Sequence, residues 1–411
     1  MFRNYCLAGA VASLLSFFLV VSNAAAQETE VLKNAQLGSC AAAACDPVAA
    51  CDPIAGCDSA FNCGEDGKRK NCLGIEWSGY AEAGILCNAY GAHTNGYTSS
   101  GSHNGGAFDA LYLKAGREAN TDGRGTDWGF QADFMFGDNA RFMKVSNGLD
   151  EDWNTSSNDT YGFAMPQLYA ELAINDWSFI AGHFYTHIGY ECTPATDRFF
   201  YSRGIAFDNI PGSHTGVQAN YNGFKNLDVM VGWTNGHDIG FTNEDGGSYF
   251  ISSFSYHLND NATLTYGLCA GDEYDYNVGL ARYHGFGSIQ SLVFDVNLTE
   301  KFNWVTEFDF WAYQESDFEM AVLGEHFYYT VNDCWKWGAR IEWLKNNYCN
   351  DNYAEEQFAM TFGANWTPFA ESKLMIRPEL RYDKMVNGTP FGKQEDKNNQ
   401  LTLGFDVIYS F

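Results

Sequence analysis

Three small groups of side chains have types and spacings that could do chemistry. His183, His187 and Glu191 recur at intervals of four, and two imidazoles with a carboxylate make a metal-binding set wherever a fold turns them to one point. The strand-forming run stops near Tyr185 and Gly189 breaks any regular structure beyond it, so the trio reads as a loop base and no metal is expected. Ser255 and His257 share one face of a candidate strand, as a hydrolytic nucleophile and its base would, but Asn259 is the one polar group nearby to orient them. No catalytic residue is assigned, and the chain is not read as an enzyme. The glycine-rich stretch 101–106 precedes no helix, so it reads as a loop tip rather than a phosphate cradle, and no cofactor is expected. The acidic clusters Asp150-Glu151-Asp152 and Asp272-Glu273-Tyr274-Asp275 lack the glycine-anchored order of a calcium loop and read as solvated surface.

A different chemistry is concentrated near the N-terminus. Cys40, Cys45, Cys51, Cys57, Cys63, Cys72 and Cys87 fall in one tract, and Cys45-Asp46-Pro47-Val48-Ala49-Ala50 is echoed by Cys51-Asp52-Pro53-Ile54-Ala55-Gly56. The six-residue spacing does not match the paired cysteines of common zinc modules. In an exported chain these seven are disulfide candidates, within the chain or to an envelope partner. Export is indicated by residues 1–26, which read as a cleaved signal peptide: Arg3, an apolar run from Cys6 to Val21, then Ala24-Ala25-Ala26. Of the chain's 12 cysteines, Cys6 lies in that leader, so an odd number remains and at least one thiol stays free or pairs with another molecule.

The remaining candidates are charges set on alternating rows, and strands must position them. Residues 401–411 place Leu401, Leu403, Phe405, Val407, Tyr409 and Phe411 on one face. Residues 374–383 set Leu374, Ile376, Pro378, Leu380 and Tyr382 against Met375, Arg377, Glu379, Arg381 and Asp383, and residues 335–343 set tryptophans against Lys336, Arg340 and Glu342. A strand turns successive side chains to opposite faces, so each run has an apolar face and a polar one. Sixteen such runs begin near Ile75, Phe108, Asp127, Ala164, Trp177, Thr215, Leu227, Ser248, Ala262, Ser288, Phe302, Glu325, Cys334, Glu355, Leu374 and Asn399. Residues 248–258, 262–270 and 312–331 alternate less cleanly, leaving fourteen or eighteen strands open. Tight turns such as Asn175-Asp176 and Asn332-Asp333 alternate with long loops such as 137–163, 186–214 and 384–398. Short turns on one rim and long loops on the other belong to a transmembrane barrel. Trp177, Trp233, Trp304, Trp311, Trp335 and Trp366 at strand ends read as its interfacial girdle.

Composition agrees. The 411 residues carry 51 acidic and 24 basic side chains, a net charge of −27, which excludes phosphate recognition and hence a nucleic-acid binder. Aromatics at 16% are too many for a disordered acidic chain. Beyond the leader no apolar run is long enough for a membrane helix, which leaves strands as the way across. The expected architecture is all-β: a transmembrane antiparallel up-and-down barrel over 75–411 of about sixteen strands, with short periplasmic turns and long outer loops. A Cys-rich periplasmic extension over 27–74 precedes it.

The stretches Pro166-Gln167-Leu168-Tyr169-Ala170-Glu171, Ala181 to Glu191, Phe199-Phe200-Tyr201-Ser202-Arg203, His214-Thr215-Gly216-Val217 and Gly338-Ala339-Arg340-Ile341-Glu342-Trp343 resemble the OmpL-like β-barrel porin family of the bacterial outer membrane. The resemblance runs, with gaps, from about 75 to 411. It implies the barrel, an outer-membrane location among lipid, passive diffusion of small hydrophilic solutes, and a homotrimer by analogy with porins of this size. Where that family often carries a basic residue this chain has His183. Tyr409 and Phe411, ending an alternating apolar strand, resemble the C-terminal signal recognised by the outer-membrane barrel assembly machinery.

Within such a barrel, 186–214 is the third long loop and resembles an inward-folded eyelet. Glu191, Asp197 and Asp208 against Arg198 and Arg203 would set its charge, and Phe199, Phe200, Ile205, Phe207 and Ile210 would anchor it. By parity the lumen-lining charges are Asp133, Glu171, Glu307, Asp309, Lys336, Arg340, Glu342, Arg377, Glu379 and Arg381, joined by Glu82, Lys114, Asp228, Asp295, Asp383 and Asp406. Carboxylates dominate, so a mild preference for cations is expected. The rival expectation is a plugged barrel that anchors the envelope.

Overall fold

The computed structural model describes residues 62–63, 69–70, 73–90, 105–153, 161–242, 247–278, 281–314, 318–347, 356–368, 373–392 and 396–411. The chain divides into two compact units, Met1–Leu37 and Gly38–Phe411, and every described residue belongs to the second. The leader and most of the Cys-rich extension therefore lie outside the described residues. So do Cys40, Cys45, Cys51, Cys57 and Cys72, and Cys63 is described in its backbone alone.

Sixteen strands carry the fold. They are β1 Glu76–Asn88, β2 Gly105–Arg117, β3 Thr126–Gly137, β4 Gly162–Ile174, β5 Trp177–Tyr185, β6 Ser213–Tyr221, β7 Leu227–Thr234 and β8 Ser248–Asn259. The second half comprises β9 Ala262–Val278, β10 Ala281–Asn297, β11 Phe302–Tyr313, β12 Phe318–Asn332, β13 Trp335–Asn346, β14 Glu356–Trp366, β15 Leu374–Met385 and β16 Asn399–Ser410. Each pairs antiparallel with its neighbour in sequence. β16 returns to β1, with Tyr409 opposite Ala81 and Thr402 opposite Asn88, so the sheet closes. A closed ladder leaves no backbone edge in lipid. The seam is finished by the last residue, whose Phe411 N–H donates to the Gly79 carbonyl at 2.9 Å while Gly79 N–H donates to Phe411 O at 3.1 Å. Two short paired segments, Asn62–Cys63 and Arg69–Lys70, extend the sheet at the start of β1, with Arg69 opposite Trp77.

The turns 175–176, 260–261 and 333–334 lie on one rim, and the loops 138–161, 186–212 and 235–247 on the other. β9 and β10 run longer than the sequence suggested, 17 residues each, more than the ~9–11 that cross a bilayer. β12 likewise starts at Phe318 rather than near Glu325. Among the described residues no helix is long and apolar enough to cross a membrane. The outer wall is apolar, with Ile85, Leu113, Phe134, Leu172, Phe362, Leu380, Leu403 and Phe405 exposed on it. Trp177 and Trp233 stand on that wall, and Trp335 stacks on Trp366 at 5.4 Å. Trp311 departs from the girdle assignment. It sits on the inward row of β11 and is buried among Ile188, Ile210 and Val322, because the third loop covers it from inside.

Candidate functional site

The interior is dominated by the loop between β5 and β6, residues 186–212. Such a segment crosses the barrel without a sheet partner, so its backbone groups need donors and acceptors from the wall. Three inward arginines supply most of them. Arg377 Nη1 donates to the carbonyls of Ala195 and Arg198, both at 2.9 Å. Arg340 donates to the carbonyls of Ser202 and Arg203 and to Ser202 Oγ, each at 3.2 Å. Arg381 donates to Arg203 O at 2.6 Å. Acceptors on the wall take the loop's N–H groups: Glu379 from Ser202, Glu342 from Ala206 and Glu307 from Tyr190, at 3.1, 3.4 and 2.8 Å. Ala195 N–H reaches the Tyr80 hydroxyl on β1 at 3.1 Å, on the far side of the ring from β11. A short 3₁₀ turn, Ala195–Asp197, and the four-residue helix α2, Ile205–Asp208, fold the loop locally. The first described helix is α1, Ala140–Met143, in the second long loop.

Apolar anchors complete the docking. Ile188, Ile205 and Ile210 pack on Tyr249, Ile251, Ile289, Val322 and Leu344 from β8, β10, β12 and β13. Phe200 packs on Val293, Val305 and Tyr328, with Phe199 partly buried against them. Phe207 lies beneath the guanidinium of Arg203, 5.7 Å from its ring centre.

The charges assigned to the eyelet are placed in or against this docked loop. Glu191 pairs with Arg340 and accepts the Gly204 N–H at 2.7 Å. Burial pushes the Glu191 carboxyl up, but the Arg340 guanidinium together with the Gly204 N–H and the charges of His326 and Arg198 outweighs it and holds the group below the usual glutamate range. Arg203 pairs with Asp208 at 3.1 Å and lies over Phe142 of α1. Burial pushes the Asp208 carboxyl up against the pull of that arginine. Asp197 accepts from the Thr196 hydroxyl at 3.1 Å, and Arg198 is buried over Phe207. Cys192, beside Glu191, is disulfide-bonded.

The charges read as lumen-lining all sit on the inward rows, but most do not meet open water. Asp133, Glu307, Asp309, Arg340, Glu342, Arg377, Glu379 and Arg381 are at most 5% exposed, as are Glu82, Asp383 and Asp406. The arginines among them are neutralised by neighbouring carboxylates. Arg340 pairs with Glu342 at 2.9 Å, Arg377 with Glu82 at 3.1 Å and Asp406 at 2.5 Å, and Arg381 with Asp383 at 2.9 Å. Glu171 and Lys336 remain half exposed, with Asp228, Asp295 and Lys114.

Other assignments change. His183 does not face the pore: it lies opposite Thr215 on the outward row, bonded to it at 2.7 Å, and the fourth long loop covers both through Ile239 and Phe241. His187 points inside to the Leu268 carbonyl, so His183, His187 and Glu191 are brought nowhere near one point. Burial holds the His187 imidazole neutral, down to about 4. His257 bonds Asp228 at 2.8 Å and Ser255 bonds Thr265 at 3.0 Å, so that pair also stays apart. Among the described residues no three acid, imidazole or thiol groups gather as a metal site. Asp150 is buried rather than solvated and accepts the Met165 N–H at 2.7 Å. Cys87 is a free thiol exposed on the outward row of β1, beside Ile85, so it leaves the disulfide set; Cys334 is free as well.

Beyond charges such as Asp133 and Glu171, the sequence assigned no lining role to the polar groups of the opposite wall. Tyr112 O–H donates to Asp133 at 2.6 Å, Gln167 donates to the same carboxylate at 2.8 Å, and Gln131 donates to its other oxygen. Asp109 was also missed. A bulge between Glu82 and Ala83 shifts the β2 register and turns it inward to the Tyr201 hydroxyl.

No curated protein matches the chain. Among solved structures, the outer membrane channel DcaP of Acinetobacter baumannii is similar, with a TM-score of 0.54, 13% identity, and coverage of 86% of this chain and 100% of that one. Salmonella typhi OmpF, in complex with daunomycin, gives 0.57 at 10% identity over 85% and 99%. The anion-selective porin from Comamonas acidovorans gives 0.54 at 11% over 82% and 99%. At such identities these likenesses speak for the fold, a porin barrel of the bacterial outer membrane. The family model described as "Putative beta-barrel porin-2, OmpL-like" matches residues 74–411, and the chain belongs to that family.

Proposed function

We propose that the chain is a non-enzymatic outer-membrane channel for passive diffusion of small hydrophilic solutes and ions, constricted by the loop 186–212. One observation carries this reading. The loop is docked against the inner wall from β8 round to β2, while inward groups on β3 to β7 such as Gln131, Glu171, Gln218 and Asp228 stay half exposed. A barrel of this strand number is wide enough to hold both a loop and water. Export by the 1–26 leader, recognition of Tyr409 and Phe411 by the assembly machinery, and a homotrimer belong to the same reading. So does a periplasmic role for the Cys-rich extension in cross-linking. A mild cation preference rests on Glu171, Asp228 and Asp295 outnumbering Lys114 and Lys336 once the buried arginines are paired.

The test is a planar bilayer recording of wild type and of a chain lacking 193–209. Stepwise currents that grow on deletion support a constriction. Equal conductance in a correctly assembled deletion removes the loop from that role. A second reading, a plugged envelope anchor, is favoured by the burial of so many inward charges. An electrically silent wild type whose deletion variant conducts would select it.

A further inference from the structure

Building on the channel reading, we propose that the open wall of β3 to β6 discriminates solutes by hydrogen bonding, and that it favours uncharged polyhydroxyl or amide solutes over ions of equal size. The charged wall is spent on the loop: the guanidinium groups of Arg340, Arg377 and Arg381 are 0–1% exposed, and the carboxylates paired with them are at most 8% exposed. The surface facing the remaining passage is different in kind. Gln131, Gln167, Tyr169, Gln218 and Asn220 occupy inward positions on β3, β4 and β6, and all are half exposed. Asp133 between them is fully buried, and its oxygens are taken by the Tyr112 hydroxyl and the two glutamine amides. Those bonds fix both amides, with the N–H₂ toward Asp133 and the carbonyl oxygen turned away from it. Gln218 and Asn220 lie along the next inward row, with Gln218 donating to Asn220 at 3.4 Å. Tyr169 adds an aromatic face and packs against the buried Ile188–Met230 cluster, which holds the ring in place.

Such a surface offers donors and acceptors to a neutral solute that sheds water in a narrow passage, and offers an ion only carboxylates already bound by protein groups. A permeation step needs contacts good enough to enter and weak enough to leave, and single neutral hydrogen bonds meet that condition. Glu171 and Asp127 are the half-exposed carboxylates on this stretch; Glu171 is occupied by the Ser178 hydroxyl at 2.5 Å and the Ala119 N–H at 3.3 Å, and Asp127 pairs with Arg117 at 2.9 Å.

The experiment is liposome swelling with purified channel and solutes matched in size: glucose, the anion gluconate and the cation glucosamine. Wild type should admit glucose about fivefold faster than either ion, the factor that one net hydrogen bond supplies. The variants Gln218→Leu and Tyr169→Leu should each erase most of that advantage while leaving KCl conductance close to wild type, which also reports correct assembly. Swelling ranked by size alone, or unaltered by both variants, overturns the proposal while leaving the channel intact. Absence of any conductance in wild type and in the loop deletion defeats the channel reading itself, and this inference falls with it.

Discussion

Replacing Arg340 with methionine tests the loop's attachment most directly. The guanidinium is 0% exposed, pairs with Glu191 and with Glu342 at 2.9 Å, and satisfies two loop carbonyls at 3.2 Å. Methionine fills similar volume and donates nothing. The variant leaves two carboxylates buried without their partner, a loss of about 3–5 kcal/mol for a broken buried pair. At about 1.4 kcal/mol per decade, the docked state of the loop falls by a hundredfold to several-thousandfold relative to the released state. Expected readouts are larger or flickering single-channel currents and protease cleavage within 193–209, with the barrel still heat-modifiable on a gel. The triple change Arg340→Met, Glu191→Gln, Glu342→Gln removes the stranded charges and should recover much of the docking, a coupling that single variants cannot mimic. An Arg340→Met channel with wild-type conductance, noise and protease resistance would refute the claim that this arginine holds the loop.

Acid should loosen the same loop. Glu191, held below the usual glutamate range, contributes docking above about pH 4.3 that is lost as pH falls through its docked value. His187, buried neutral down to about 4, takes up a proton more readily once released, so docking weakens from pH 6.5 downward. Asp208, pushed up, works in the opposite sense. The expected result is conductance noise rising as pH falls from 6.5 to 4, muted in His187→Gln, with a further rise below about 4.3 that Glu191→Gln removes; a flat profile in wild type contradicts it. At the seam, a Cβ on Gly79 would press on the Tyr112 carbonyl and come within 2.8 Å of the Phe411 ring. Gly79→Val should therefore lower the yield of assembled barrel and its thermal midpoint, measured by the gel shift on heating. Ion preference is read from the reversal potential across a tenfold KCl gradient, which should show K⁺ mildly favoured and less so at higher salt, as screening shortens. Chloride permeating faster would mean that Lys114 and Lys336 outweigh the three half-exposed carboxylates.

The barrel was legible because alternation is a local property. Leu401 to Phe411 and Leu374 to Asp383 carry one face for lipid and one for the interior, and the pairing that closes β16 on β1 needs nothing beyond those faces. The segments where alternation blurs have a physical explanation in the loop. Ile251 on β8, Cys269 on β9 and Met320 and Val322 on β12 are apolar on the inward row because they meet Ile188, Ile205 and Ile210 rather than water. Both faces of these strands are therefore apolar for different reasons, and a two-faced pattern fades. Trp311 reads as a girdle residue for the same cause. Burial was the part that sequence could not supply. Parity tells which row Glu82, Arg377 and Asp406 occupy, but their neutralisation joins residues that are 295 and 29 positions apart.

That neutralisation explains why arginines do this work. A loop laid across a barrel has carbonyls that no strand pairs with, and each must find a donor inside a region that excludes water. A guanidinium has five N–H groups in a planar fork, so one side chain can reach two backbone carbonyls and still pair with a carboxylate. Arg377 does so, holding Ala195 and Arg198 through one nitrogen and Asp406 and Glu82 through the others. The carboxylates beside each arginine then have a definite purpose: they fix the fork in the orientation that serves the loop and cancel its charge. An interior built this way ties up its strongest charges in architecture. The chemistry left to meet a passing solute lies across the passage, on the amide and tyrosine side chains of β3, β4 and β6.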